Sequence, residues 1–316
     1  MKTLFVMDPI DTINVTGDST YMLMLEACKR GWPVFWCGPG DLYADGGLGW
    51  ARVCPVKVST SEPYFEAKAT ITRPLGEFDV VWMRKDPPFD MDYIFSTYLL
   101  DLVPPTTLVL NNPASIRSAN EKMYAMQWSE YCPKTAVLRD IDQAMAWIAE
   151  NSKERVVLKP WDGNGGRGVL VTHSKDANLR SMLEILTEEQ SQFILVQEYI
   201  EEIKDGDKRV ILIDGEPMGW MTRVPQPGDH RGNMHVGARV EACDLTPRDR
   251  EICAAIGPRL RKEGLLFVGI DIIGSYLTEI NVTSPTGIQE INPMLNVQLE
   301  KSITDAVMRA HKGECT

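Results

Sequence analysis

Short apolar runs alternate with helix-length segments along the first 120 residues. The apolar runs are TLFVMDP, PVFWCG, FDVVWMRKD and TTLVLNNP, and the helical segments include DSTYMLMLEACKR and MDYIFSTYLLDLV. A strand, a helix and a second strand in this order predict a parallel sheet with a right-handed crossover. Asp18 or Ser19 is the expected N-cap of the first helix, and Gly31 marks its end. We therefore predict an α/β domain over residues 1–120.

The pattern changes after residue 120, where a helical segment, NEKMYAMQWSEY, leads into a series of helices and strands. Asp214 and Gly215 separate the strands KRVILID and EPMGWMTRV, and this pair of turn residues predicts a hairpin. A long helix is expected from Thr246, as its cap, to Gly264, with Pro247 in its first turn.

A glycine-rich segment, LKPWDGNGGRGV, follows the end of an apolar strand. Glycines let backbone N–H groups turn inward on a phosphate, and Lys159 supplies a fixed positive charge beside them. The alternative is a surface hairpin with a flexible tip. The segment lacks the GxxxxGK[ST] pattern, and the loop after the first strand lacks GxGxxG, so neither common nucleotide loop is present. A second lysine, Lys122, opens the helix that begins the new pattern.

The segment VGIDIIGSYLTEIN predicts two strands that carry oxygen-bearing side chains. Glu279 and Asn281 are two residues apart and share a face. A two-residue turn would place Asp271 opposite Thr278, with Glu279 on the other face. A three-residue turn, 274–276, would place Asp271 opposite Glu279, and we predict this register. Three hard oxygen ligands would then converge as Mg²⁺ prefers, whereas the alternative is a solvent-facing strand pair with ordinary surface acids.

Composition excludes several classes of function. The chain has 316 residues, 44% of them hydrophobic, and a net charge of −11, which disfavours nucleic acid or an anionic membrane as partner. Its seven cysteines are scattered, without a CxxC pair, as in a reducing compartment. The opening MKTLFVMDPID does not match a signal peptide, and no apolar run approaches the length of a membrane span. A cytoplasmic protein is expected.

The order of these features resembles the ATP-grasp carboxylate–amine ligases, and within them the bacterial glutathione synthetases. The resemblance runs from end to end, through MDPI, WMRKDPPFD, NEK, LKPWDGNGG, IKDGDKRV, DGEP, RGN, GLLFVGIDIIG and TEINVTSPTGI. It implies a parallel-sheet pre-ATP-grasp domain followed by a two-subdomain ATP-grasp fold, with the small subdomain over 121–192 and the large one over 193–316. The chain departs from the family at Gly287 and Gln289, where a bulkier residue and an arginine are common.

The resemblance also implies a reaction and a set of site residues. ATP would drive the joining of glycine to γ-glutamylcysteine through an acyl phosphate, giving glutathione, ADP and phosphate. The residues expected to bind ATP are Lys122, Lys159, Gly163, Asn164, Gly165, Gly166, Glu198, Tyr199, Ile200, Asp207 and Lys208. Those expected to bind the dipeptide and glycine are Arg84, Arg231, Asn233, Ser284 and Thr286. Arg209 and Arg223 are expected to act on the reacting phosphate.

Asp271, Glu279 and Asn281 are the expected ligands of two Mg²⁺ ions, with Mn²⁺ as an alternative. The loops 163–168 and 225–238 are expected to close as lids, because an acyl phosphate would hydrolyse in water. The resemblance further implies a homo-oligomer, a tetramer by the habit of the family, with small-molecule substrates and neither nucleic acid nor membrane as partner.

Two other hypotheses fit the same order of motifs. One is an ATP-grasp ligase that joins a different acid and amine, such as a glutamate-adding or D-alanine-joining enzyme. The other is a non-catalytic ATP-binding module of this fold. The segments MRKDPPFD and TSPTG favour the glutathione synthetase, and the complete set of Arg209, Asp271, Glu279 and Asn281 speaks against a scaffold.

Overall fold

The computed structural model describes residues 1–151, 154–161, 163, 166–226, 228, 232 and 237–314. The helices are α1 (Ser19–Lys29), α2 (Met91–Leu100), α3 (Pro113–Ser118), α4 (Glu121–Ala125), α5 (Ile141–Asn151), α6 (Leu179–Leu186), α7 (Pro247–Lys262), α8 (Ile288–Leu295) and α9 (Leu299–His311). The first eight strands are β1 (Thr3–Val6), β2 (Val34–Cys37), β3 (Leu42–Asp45), β4 (Leu48–Val58), β5 (Phe65–Ala67), β6 (Ile71–Pro74), β7 (Val80–Met83) and β8 (Leu108–Leu110). The others are β9 (Thr135–Leu138), β10 (Val156–Pro160), β11 (Leu170–Thr172), β12 (Ile194–Glu198), β13 (Asp207–Ile213), β14 (Glu216–Val224), β15 (Arg239–Glu241), β16 (Phe267–Ile273) and β17 (Tyr276–Asn281).

The N-terminal sheet has a parallel centre, β2-β1-β7-β8, as the apolar runs predicted. Every residue of β1 is buried, which is typical of a strand covered on both faces. Asp18 caps α1 by accepting from the amide of Tyr21 at 2.6 Å, and Gly31 follows the helix with positive φ. The sheet continues beyond β2 through the antiparallel β4, which also pairs with β3, β5 and β6.

The second sheet is antiparallel, in the order β11-β10-β12-β9. It places the end of β10, with Lys159, opposite Leu195 of β12. Because β12 pairs with both β9 and β10, this sheet extends past residue 192, the end of the small subdomain that the resemblance implies.

The third sheet is antiparallel, in the order β15-β14-β13-β16-β17. The predicted hairpin at Asp214 and Gly215 joins β13 to β14, and both turn residues have positive φ (51° and 75°). Such φ values match a two-residue hairpin turn. α7 begins with the predicted capping arrangement, in which Thr246 accepts from the amide of Asp249 and Pro247 takes the first helical position.

The hairpin of β16 and β17 corrects the predicted turn but retains the predicted pairing. Ile273 pairs with Tyr276, so the turn has two residues and not three; Gly274, its first residue, has φ of 58°. Asp271 nevertheless pairs with Glu279, because the register shifts between Asp271 and Ile272. The extra residue of this β-bulge is Thr278.

The bulge lets β17 place two apolar side chains in the core and its polar side chains on the other face. Leu277 and Ile280 are both buried in one hydrophobic cluster with the apolar side chains of β16, although they are three residues apart. An unbroken strand would turn one of them away from that core. With Thr278 as the extra residue, both reach the core while Glu279 and Asn281 face the other side, with Asp271.

One hydrophobic core joins the N-terminal sheet to the third sheet and the last two helices. It includes Phe5, Met24, Ile211, Met221 and Ile303, all with essentially no exposed surface. The C-terminal segment therefore packs on the N-terminal domain through α1, α8 and α9.

Asn111, just past β8, adds a polar link between the same parts. Its side-chain amide donates to the carbonyls of Phe267 (2.8 Å) and Val282 (2.7 Å), and its oxygen accepts from the amide of Phe267 (3.0 Å). All three bonds are buried, so the N-terminal sheet is held in register with β16.

Replacing Asn111 by alanine is expected to lower the free energy of unfolding by about 2 kcal/mol or more, because three buried main-chain groups lose their partner. Urea unfolding of Asn111→Ala beside the parent chain measures this. Asn178→Ala is the matched control, since Asn178 is exposed and its side chain caps nothing. Equal stability of the two variants would contradict the assigned role of Asn111.

Candidate active site

A cavity of about 400 Å³ lies where the three sheets meet. The N-terminal domain contributes Asp86 and Pro87, the second sheet contributes the ends of β10, β11 and β12, and the third sheet forms the floor. A cleft between domains, lined by several charged groups and one apolar wall, is the usual form of a ligand site.

The floor carries alternating charges across neighbouring strands. Arg209 of β13 lies directly opposite Asp271 of β16, and its Nε and Nη2 donate to the two carboxylate oxygens at 2.5 and 3.0 Å. Arg223 of β14 contacts Asp271 Oδ2 at 3.0 Å and also pairs with Asp207, its cross-strand neighbour. Glu279 of β17 extends the row on the far side of Asp271. We refer to Asp207, Arg209, Arg223 and Asp271 as the ion cluster.

The ion cluster is buried, and its members shift one another's protonation. Burial alone would raise the pKa of Asp271, but the guanidinium groups of Arg209 and Arg223 hold it well below its usual range. Burial likewise opposes the charge of Arg223, yet Asp207 and Asp271 raise the pKa of its guanidinium. Burial raises the pKa of Asp207 to about 6, against the effect of Arg223 and with the help of the Asp271 charge.

Two lysines face this floor from the other walls. Lys122, in the first turn of α4, is only 3% exposed; it pairs with Glu121 and donates to the carbonyl of Gly163 at 2.6 Å. Lys159 lines the same cavity from the end of β10. Burial lowers the pKa of Lys159, and Lys122 adds to this while Glu279 opposes it. The two ammonium groups and the two guanidinium groups supply the cavity with donors of the kind that bind phosphate oxygens.

Part of the cavity lining is apolar. Val157, Val171, Ile200 and Ile203 form this part beside the backbone of Glu198 at the end of β12. An apolar slot next to main-chain donors and acceptors suits a planar heterocyclic base.

Residues 283–287, which we call the strap, complete the cavity on the side of the N-terminal domain. The strap follows β17, and its Ser284, Pro285 and Thr286 line the cavity. Arg209 Nη1 donates to the carbonyl of Thr286 at 3.2 Å, so the strap also touches the ion cluster.

Arg84, the residue after β7, contacts the strap from the N-terminal domain. It is 4% exposed, and it donates to Thr20 Oγ1 and to the carbonyl of Pro285, both at 3.0 Å. Its guanidinium also lies 5.0 Å from the ring centre of Phe267. Arg84 therefore contacts the strap and not the cavity itself; its Nη1 is buried and has no hydrogen-bond partner among the described residues.

Several side-chain oxygens at the cavity are suited to bind a hard divalent cation that also binds phosphate oxygens. Glu279 has no ion pair within the described part of the chain, Asn281 offers its side-chain oxygen, and Asp207 Oδ1 is buried without a partner there. The carboxylate of Asp271 is already shared by two arginines. No three His, Cys, Asp or Glu residues among those described could hold a metal by themselves, so a cation here would take further oxygens from its substrate.

Most of the predicted site residues meet at this cavity. Those that line it are Lys122, Lys159, Gly163, Gly166, Glu198, Tyr199, Ile200, Asp207, Arg209, Arg223, Asp271, Glu279, Asn281, Ser284 and Thr286. Lys208 does not: it lies on the other face of β13 and pairs with the buried Asp249 of α7. Asn164, Gly165, Arg231 and Asn233 fall outside the described residues, as does more than half of the predicted lid 225–238.

Three charged residues of the cavity were not predicted from the sequence. Glu121 and Arg167 line it beside Lys122 and the glycine-rich segment, and Asp86 lines it from the N-terminal domain. Each lies within a quoted segment, so membership of that segment was the available signal.

Solved structures similar to the chain indicate its fold. A D-cycloserine synthetase matches with a TM-score of 0.68 and 14% identity, over 98% of this chain and 99% of that one. An ATP-grasp ligase solved with its precursor peptide matches with a TM-score of 0.62 and 16% identity, over 98% of each chain. At this identity the likeness concerns the fold alone, and the fold is that of the ATP-grasp ligases.

Relatives of higher sequence identity identify the family of the chain. Family models for prokaryotic glutathione synthetase match over residues 1–117, as its N-terminal domain, and 121–296, as its ATP-grasp domain. A glutathione synthetase of Thermosynechococcus vestitus is 43% identical over 314 residues (96% of this chain, 98% of the relative), and one of Pseudomonas aeruginosa is 45% identical over 305 residues (96% of each). The chain belongs to the prokaryotic glutathione synthetase family and is an ATP-dependent ligase.

The two carboxylates that pair across β16 and β17 are expected to differ in their effect on stability. Asp271→Asn leaves two buried guanidinium groups without their shared carboxylate and should lower the free energy of unfolding by about 3 kcal/mol. Glu279→Gln, without an ion pair among the described residues, should leave the melting temperature nearly unchanged. Thermal unfolding in metal-free, nucleotide-free buffer compares them, and a large loss in Glu279→Gln would mean that Glu279 is structural.

Asp207 should leave a pH signature on stability. Its pKa is about 6 in the folded protein and about 3.9 in an unfolded chain, so the unfolded state releases this proton first as the pH rises. The contribution of Asp207 to stability is therefore present below about pH 4 and lost as the pH rises to about 6. The stability of Asp207→Asn relative to the parent should increase over that interval in urea titrations, and a pH-independent difference would refute the assignment.

Proposed function

We propose that this site joins glycine to the cysteinyl carboxylate of γ-glutamylcysteine at the expense of ATP, giving glutathione, ADP and phosphate. The observation that carries the proposal is the ion cluster in the floor of a lysine-walled cavity, in a chain of the glutathione synthetase family. Phosphoryl transfer needs positioning and neutralisation of charge more than covalent help, and arginine and lysine supply both.

In this proposal ATP lies along the cavity from its apolar to its charged end. The adenine occupies the slot of Val157, Val171 and Ile203 and contacts the backbone of Glu198 and Ile200. The phosphates reach Lys122 and Lys159, and the loop 163–168 closes over them. Of the two predicted neighbours of the nucleotide, Asp207 is favoured, since Lys208 is engaged with Asp249.

The first step transfers the γ-phosphate. A carboxylate oxygen of the dipeptide attacks the γ-phosphorus, the bond to the β,γ-bridging oxygen breaks, and ADP leaves with that electron pair. Arg209 and Arg223 neutralise the charge on the transferring group. Their guanidinium planes are fixed by Asp271, so little reorganisation is needed at the moment of reaction.

The second step forms the peptide bond. The amine nitrogen of glycine attacks the acyl carbon, the carbon–oxygen bond to phosphate breaks, and the amine releases a proton. The strap lies between the two domains, and Ser284 and Thr286 offer hydroxyl and backbone groups to the dipeptide. Arg84 would hold the strap in place through its bond to Pro285. Arg231 and Asn233 are proposed to bind substrate from the loop 225–238, and closure of that loop would keep water from the acyl phosphate.

Divalent cations, two Mg²⁺ with Mn²⁺ as an alternative, are proposed to bind at Glu279, Asn281 and Asp271. When bound, they would neutralise phosphate charge and align the oxygens of the reacting group. A homotetramer in the cytoplasm is likewise proposed from the family alone. Within the described residues, no helix is long and apolar enough to cross a membrane.

The test is release of ADP from ATP with γ-glutamylcysteine while the amine is varied. Release that requires glycine, with glutathione formed in equal amount, is the expected result. Release with another amine would point to a different ligase of this fold, and no release with any amine would overturn the proposal. Glu279→Gln, folded as the parent, is expected to release less than about 1% as much ADP.

A further inference from the structure

The helix that follows the strap lacks an N-terminal cap of its own. α8 begins after Gly287, which has no side chain, and the cap is supplied from another domain. Ser19 Oγ accepts from the amides of Gly287 at 3.2 Å and Ile288 at 3.3 Å. Ser19 lies in the first turn of α1, 268 residues earlier, and is fully buried. A serine hydroxyl at a helix N-terminus satisfies amides that the helix cannot satisfy itself.

Gln289 makes the reciprocal connection. Its side-chain Nε2 donates to the main-chain carbonyls of Val15 and Asp18, both at 2.9 Å. Asp18 is the N-cap of α1, so Gln289 of α8 holds the segment that begins α1 while Ser19 of α1 caps α8. The N-termini of the two helices are thus joined by four hydrogen bonds that cross between domains.

We propose that Ser19 and Gln289 are positioning residues that hold the strap where the dipeptide binds, and so set the affinity for the dipeptide without touching it. The inference rests on the proposed function, since it assumes that the strap binds γ-glutamylcysteine. The strap ends at Gly287, so the four bonds anchor its C-terminal end to the N-terminal domain. Its other side is held by Arg84, whose contacts with Thr20 and Pro285 lead to the same turn of α1.

None of the four bonds involves a residue proposed to bind the base or the phosphates of ATP. Lys122 is on α4, and Lys159 is on β10 in the second sheet. Neither helix α1 nor helix α8 supplies a lining residue to the apolar slot. Loss of the bonds should therefore raise the KM for the dipeptide and leave the KM for ATP unchanged. A general loss of structure would affect both substrates.

Hydrogen-bond polarity separates this role from simple packing. At position 289 two carbonyl oxygens face the side chain, so a donor is required. Gln289→Lys retains a donor of sufficient reach, Gln289→Met retains the size without a donor, and Gln289→Glu places an acceptor against two carbonyls. The expected order of the KM for γ-glutamylcysteine is parent and Lys lowest, then Met, then Glu.

Steady-state kinetics on the full-length chain, with ATP and γ-glutamylcysteine varied in turn, tests the inference. Ser19→Ala and Gln289→Met each remove two of the four hydrogen bonds and should raise the KM for the dipeptide about three- to tenfold, and Gln289→Glu should raise it more. Gln289→Lys should stay within about twofold of the parent, as should the KM for ATP in all variants. An equal rise in both KM values, or no rise in either, would overturn the proposal.

Two control variants and one structural measurement complete the test. Ser302→Ala removes a half-buried serine of α9 whose one hydrogen bond stays within that helix, and Gln143→Met replaces an exposed glutamine of α5, so neither should change a KM. Hydrogen exchange followed by mass spectrometry should show faster exchange at 287–288 in Ser19→Ala than in Ser302→Ala; equal exchange would overturn the anchoring role. This readout needs no turnover, whereas failure of the proposed function would appear as a parent chain that releases no ADP with any amine.

Discussion

Asp271 accepts hydrogen bonds from two arginines in the interior of the third sheet, and the rest of the site depends on this contact. Removing a carboxylate and two guanidinium groups from water costs several kcal/mol per ion, and the attraction between them offsets that cost only where hydrogen-bonding groups meet in good geometry. The geometry comes from strand register, since Arg209 faces Asp271 across β13 and β16. With Asp207 the cluster is electrically balanced, so it remains charged inside the protein and presents guanidinium groups of fixed orientation to the cavity.

Sequence signals located the strands of this floor but not the way in which they meet. The turn at Asp214 and Gly215 is local and could be predicted. The pairing of Asp271 with Glu279 was predicted from a three-residue turn, whereas the protein uses a two-residue turn and a bulge. A signal for the bulge was present, because Leu277 and Ile280 are both apolar at a spacing that no regular strand would bury on one side. Strands β3 to β6 were not predicted, although Gly46 and Gly47 mark the turn between the first two of them.

Contacts between distant residues lay beyond what the residues alone could predict. Arg209 and Asp271 are 62 residues apart. An arginine or an aspartate taken alone is more often part of a surface salt bridge than of a buried one. The resemblance to a family was needed to bring them together. Asp207 and Lys208 are neighbours on β13, so their side chains point to opposite faces of the sheet. Which of the two faces the cavity depends on which side of β13 packs against α7, and the sequence alone does not show this. The cap that Ser19 provides to α8 has no sequence signature, because the serine precedes the helix by hundreds of residues.

The bond between Lys122 and the carbonyl of Gly163 has a consequence for how the site responds to its nucleotide. An ammonium group carries three protons, so in the proposed function Lys122 would donate to a phosphate oxygen while it keeps its bond to the carbonyl of Gly163. The side chain that neutralises the phosphate would then also tie the glycine-rich loop to α4, and the position of the loop would be coupled to the nucleotide through one residue.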